Sequence, residues 1–69
     1  MNKKLNRLKV VLADRGLTNK WLAETIHCDP ATISKWVTNA TQPPLETLIE
    51  IAVALNVGIE ELVRMPEEQ

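Results

Sequence analysis

The chain has 69 residues, enough for one small domain close to the lower size at which a single core holds a fold without disulfides or metal. Its hydrophobic fraction of 45% comes with two tryptophans, no phenylalanine or tyrosine and one cysteine, which points away from β-rich folds and excludes an internal disulfide, as suits a reducing cytosol. The net charge of −1 excludes a uniformly basic polyanion binder, and the charges breaking every apolar run of MNKKLNRLKVVLADRG exclude a signal-peptide core and a membrane span there.

Leu5, Leu8, Val11 and Leu12 recur at helical spacing, and Gly16 stands where a helix stop belongs, so a first helix is predicted there. Thr18 is a good N-cap for a second helix over Asn19 to about Ile26, with Leu22, Ala23 and Ile26 facing inward. Asp29 caps a third helix whose first residue is Pro30, a position where the missing N–H of proline costs nothing. Its inner face is Ile33, Trp36 and Val37. Asn39 to Pro44 is a polar, proline-bearing loop that launches a fourth helix over about Leu45 to Leu55. That helix is apolar at Leu45, Leu48, Ile49, Ala52 and Leu55, widened by Ile51, Val53 and Ala54, which predicts a central helix touched on several sides. Asn56 suits a left-handed helix stop, and a short fifth helix over about Ile59 to Arg64 adds Ile59, Leu62 and Val63 before Pro66 closes it. The organisation expected is a single all-α domain over 1–69, with a core over about 5–63 and a frayed tail at 66–69. Asn39, Ala40 and Thr41 spell a glycosylation acceptor with no export signal to give it use.

Charge is unevenly placed. Up to Thr38, seven cations (Lys3, Lys4, Arg7, Lys9, Arg15, Lys20 and Lys35) face Asp14, Glu24 and Asp29, a balance of +4; from Asn39 onward Arg64 opposes six glutamates, a balance of −5. A basic front and an acidic back suit a protein that turns one face to a polyanion, although small domains show such asymmetry without one. Residues 19–38 also fit helix-turn-helix spacing, with apolar Leu22, small Ala23, apolar Ile26, Cys28 in the turn, then Ile33 and Trp36. Two helices crossing steeply need a small residue at the contact, and Ala23 supplies it.

Across RLK (Arg7 to Lys9), GLT (Gly16 to Thr18), WLA (Trp21 to Ala23), ATISKW (Ala31 to Trp36) and QPPLETLIEIAVALNV (Gln42 to Val57), the chain resembles the Cro/C1-type DNA-binding domains. This is the XRE family, with the fold of the lambdoid phage repressors. The resemblance implies a compact five-helix domain that places helix three in the DNA major groove, commonly as a two-fold dimer. Carried over by position, the base-reading side chains are Pro30, Ala31, Thr32, Ser34 and Lys35, with Lys35 suited to guanine or a phosphate and Thr32 to a hydrogen bond or a thymine methyl. The backbone contacts fall on Asn19, Lys20, Thr38, Asn39, Thr41 and Gln42, mostly neutral groups that position the duplex by hydrogen bonds, with Lys3 and Lys4 adding attraction. Few formal charges at such an interface imply modest affinity and a shallow salt dependence.

The chain departs from the family where many members carry glutamine at Asn19 and glycine at His27 and Asn39, two residues that tolerate positive φ better than most. An arginine and glutamate pair common between helices one and three is replaced by Leu12 and Val37, which predicts a dry contact instead. Trp36 is expected to pack behind helix three, and Trp21 to pack against neighbours such as Leu17 rather than touch a phosphate. His27 and Cys28 lack a second ligand pair, so no metal is expected, and Cys28 reads as a small core residue of the turn. No nucleophile set, paired carboxylates or glycine-rich phosphate loop can be assembled, so neither catalysis nor a cofactor is expected. Val53, Val57 and Ile59 form a candidate apolar contact for a homodimer, formed at least on DNA. The expected partner is double-stranded DNA, read by a cytoplasmic regulator of transcription. The alternative is the same fold used to bind protein, as an antitoxin or assembly adaptor, which the apolar Pro30–Ala31 start and the low charge favour.

Overall fold

The computed structural model describes residues 4–64, which form α1 (Leu8–Asp14), α2 (Asn19–Ile26), α3 (Pro30–Val37), α4 (Leu45–Leu55) and one turn of 3-10 helix, Ile59–Glu61. The expected roles of Lys3, Pro66 and the tail lie outside these residues.

Side-chain caps open α2 and α3, and a side chain just before α1 plays a similar part. The Asn6 Oδ1 accepts from the Leu8 N–H at 3.1 Å, Thr18 Oγ1 from Trp21 at 3.0 Å and Asp29 Oδ2 from Ala31 at 3.0 Å. Each satisfies a donor that the first turn leaves without an intrahelical partner. All four α-helices then stop at a residue in the left-handed region: Gly16 (φ 67°), His27 (φ 60°), Asn39 (φ 64°) and Asn56 (φ 59°). After each, the next N–H reaches back to a helix carbonyl: Leu17 to Leu12 at 2.9 Å, Cys28 to Ala23 at 2.8 Å, Ala40 to Lys35 at 2.9 Å and Val57 to Ala52 at 3.0 Å. This closure satisfies carbonyls left over at the helix ends, and after three of the stops the next residue, Leu17, Cys28 or Val57, packs against the core.

The core takes Leu8, Val11 and Leu12 from α1, Leu22 and Ala23 from α2, Ile33, Trp36 and Val37 from α3, and Ile51, Ala52 and Leu55 from α4, with Leu62 beyond the 3-10 turn. Leu17, Trp21, Ile26 and Cys28 pack against it, half-buried. Leu8, Leu22, Ile33, Ile51 and Leu62 are fully buried, and each contributes roughly 1.5–3 kcal/mol of transfer free energy. Helix α2 packs on α3 and α4, and α1 on α3. Leu12 and Val37, expected to form a dry contact between α1 and α3, are both buried in this core.

Three expectations need correction. The fifth helix is a single 3-10 turn, because the backbone after it is drawn into an antiparallel pairing of Asn6 with Val63: Arg7 N–H donates to Leu62 O at 2.9 Å and Arg64 N–H to Leu5 O at 2.7 Å. The described residues therefore form four α-helices rather than five. Leu5 belongs to this pairing and not to α1, which begins at Leu8, and is 47% exposed. The wide apolar stripe of α4 is not covered on every side: Leu45, Ile49 and Val53, spaced one turn apart, stay exposed at 68%, 49% and 75%.

Candidate nucleic-acid interface

The turn between α2 and α3 is built by His27 in the left-handed conformation, by the Cys28 N–H bonded to Ala23 O, and by the burial of Ala23 at the crossing. A larger side chain at Ala23 would push the two helices apart. Burial of Ile33, Trp36 and Val37 fixes the rotation of α3, so Pro30, Ala31, Ser34 and Lys35 face outward, with Thr32 half-buried beside them. The five base-reading candidates thus share one helix, and four share its open side. With Lys35 the only charge among them, they offer one cation, two hydroxyls and a small apolar start.

The backbone candidates divide. Lys20, Thr38, Thr41 and Gln42 are exposed and Asn19 is half-buried, while Asn39 is 8% exposed. Asn39 is turned inward: its Oδ1 accepts from the Asn6 N–H at 2.9 Å and from Gln42 Nε2 at 3.0 Å, and its Nδ2 donates to Asn6 O at 3.2 Å. The side-chain amide thereby pairs with a backbone peptide much as a neighbouring strand would. Asn6 completes the network by donating from Nδ2 to Trp36 O at 2.9 Å and to Gln42 Oε1 at 2.7 Å. Every buried side-chain polar atom among the described residues has a partner.

The loop amides are also committed. The N–H groups of Thr38, Asn39, Ala40 and Thr41 donate to carbonyls of Ser34, Trp36, Lys35 and Lys35, and the Thr38 hydroxyl donates to Ser34 O and Lys35 O. Among the described residues no hydrogen bond engages the Thr41 hydroxyl or the Lys20 ammonium. The loop after α3 is therefore a rigid shelf with few unspent donors. Sequence reasoning missed Asn6, the centre of this shelf, because these partners lie 30–36 residues away and only its bond to the Leu8 N–H is local.

Beside the shelf is a cleft of about 260 Å³ lined by Lys4, Asn6, Arg7, Lys9, Val10, Val37, Thr38, Asn39 and Arg64. An open groove of about 570 Å³ lies elsewhere, between the end of α2 and α4, with Ile26, His27, Ile49 and Val53 among its walls. Among the described residues no cluster of three or more metal-ligating side chains occurs, and no helix is long and apolar enough to cross a membrane.

The family model for the Cro/C1-type HTH DNA-binding domain matches residues 7–68. A protein from Bacteroides fragilis described as DNA-binding is 47% identical and superposes with a TM-score of 0.85 over 87% of this chain and 97% of its own. A transcriptional regulator from Listeria innocua is 28% identical with a TM-score of 0.76 over 91% of this chain, which spans 59% of the regulator's length. No protein of curated function matches in sequence.

Proposed function

The chain belongs to the Cro/C1-type helix-turn-helix DNA-binding domains and is not an enzyme, and from that premise we propose that it reads specific sequences in duplex DNA to regulate transcription. The observation that carries this reading is the rotation of α3, whose three core residues turn Pro30, Ala31, Ser34 and Lys35 outward together. Seated in a major groove, the start of α3 meets base edges through Pro30, Ala31 and Thr32, while Ser34 and Lys35 follow one turn on. Asn19, Lys20 and Thr41 meet the phosphates, and Thr38, Asn39 and Gln42 chiefly hold the loop at the right height. The whole chain acts as one domain in the cytoplasm.

Selection from a random duplex pool tests this. Enrichment of a half-site is expected, and Lys35→Ala should relax one base position at a cost of about 1–3 kcal/mol. A pool that stays random would sink sequence-specific reading.

The exposed row of Leu45, Ile49 and Val53 supports a second element of the proposal, that two copies meet through α4. Val53 is its most open member, and Val57 and Ile59, half-buried against the core, border the same end of the helix. A two-fold pair would place two reading helices on successive turns of one groove face, about 34–36 Å apart. The antitoxin or adaptor alternative draws on the same surface, and duplex selection separates it.

A further inference from the structure

We propose that the cleft between the start of α1 and the last described residues is a second phosphate-binding site, one that grips the DNA backbone where it flanks the groove occupied by α3. This rests on the DNA-binding reading above and adds to it a set of cations outside the helix-turn-helix. Four of the nine residues lining the cleft, Lys4, Arg7, Lys9 and Arg64, are cationic, and none is acidic. They come from two separate parts of the chain, residues 4–9 and Arg64, and are gathered by the pairing of Asn6 with Val63. Lys4, Lys9 and Arg64 are exposed; Arg7 is half-buried, with Nη1 donating to Glu61 O at 3.3 Å, so its guanidinium is held at the wall and keeps donors for an anion.

Position identifies the anion. Thr38 and Asn39, which cap the end of α3, also line the cleft. An eight-residue helix is about 12 Å long, and the major groove is about 12 Å wide. With the start of α3 at the base edges, its other end lies near the groove wall, where a phosphate strand passes. The shelf beside it has spent most of its donors internally, so the cations of the cleft add to Lys35 of α3 in neutralising that strand. The salt dependence is then steeper than the neutral loop alone implies.

The test is the salt dependence of duplex binding by the full chain and by a double variant, Lys9→Gln with Arg64→Gln, both exposed positions whose replacement leaves the backbone pairing intact. Each lost phosphate contact flattens the plot of log K against log salt by about 0.9, so the double variant should flatten it by about 2. Affinity for a selected half-site and for unrelated duplex should fall by the same factor. Arg15→Gln, an exposed cation of the same chain outside the cleft, should leave the slope nearly unchanged. A selected duplex bound with the same slope by wild type and double variant overturns the cleft alone. Equal flattening by Arg15→Gln also overturns it, since net charge would then be the cause. Absence of any duplex binding at low salt overturns the DNA-binding reading and the cleft together.

Discussion

Two residues with nearly the same backbone angles have opposite dependence on their side chains. His27 (φ 60°) is exposed and its side chain makes no hydrogen bond among the described residues, so it bears the cost of the left-handed conformation for a stop that glycine would make without strain. Asn39 (φ 64°) bears the same cost, but its amide satisfies the buried peptide of Asn6. His27→Gly should therefore stabilise the fold by about 0.5–1 kcal/mol, whereas Asn39→Gly should destabilise it by about 1–3 kcal/mol by leaving the Asn6 N–H unpaired. Thermal unfolding of the two variants checks this. In a domain of this size each kcal/mol moves the midpoint by about 4–8 °C, and a rise for both variants would show that the Asn39 bonds carry no weight.

At the scale of the helices, short caps do work that length cannot, because helices of seven or eight residues are not stable alone. Asp29 matters most, since it both starts α3 and fixes the helix whose first turn carries the base-reading candidates. Asp29→Ala should cost about 0.5–2 kcal/mol in urea unfolding and weaken binding to a selected half-site; Asp29→Asn, which keeps the accepting oxygen, should restore most of both. Loss of stability with unchanged binding would separate the cap from the interface. These caps and stops are why the bounds of α2, α3 and α4 were legible in the sequence: Thr18, Asp29, Pro30 and Asn56 act through residues two to five positions away. The stops share a pattern as well, an apolar or long residue, then the left-handed residue four on, then an apolar one, as in Leu12, Gly16 and Leu17 or Ala52, Asn56 and Val57. The fifth helix was misjudged because Ile59, Leu62 and Val63 have helical spacing, while the competing pairing with Leu5 to Arg7 is a long-range event. The same limit hid the Asn6 network and the cleft, whereas the outward face of α3 followed directly from the buried spacing of its inner one.

For the molecule as a whole, the core is closed at the α1, α2 and α3 side and open along α4. The proposed two-fold dimer would cover the apolar row that α4 leaves in water. Val53→Glu, at the most exposed of these positions, should leave the unfolding midpoint nearly unchanged while shifting sedimentation toward monomer and weakening binding to a two-half-site duplex far more than to a single half-site. A wild type that sediments as a monomer both alone and on a palindromic duplex would remove the dimer.

The pairing that brings Leu5 to Arg7 beside Leu62 to Arg64 also sets an order of opening. The contact of α2 with α3 joins neighbours in the chain, whereas this clasp closes a loop whose partners, such as Arg7 and Glu61, lie 54 residues apart. A long closing loop makes the clasp the part expected to open most readily, and opening it would separate Arg64 from Lys9. In native-state hydrogen exchange the Arg7 and Arg64 amides would lose protection before those of α2 and α3.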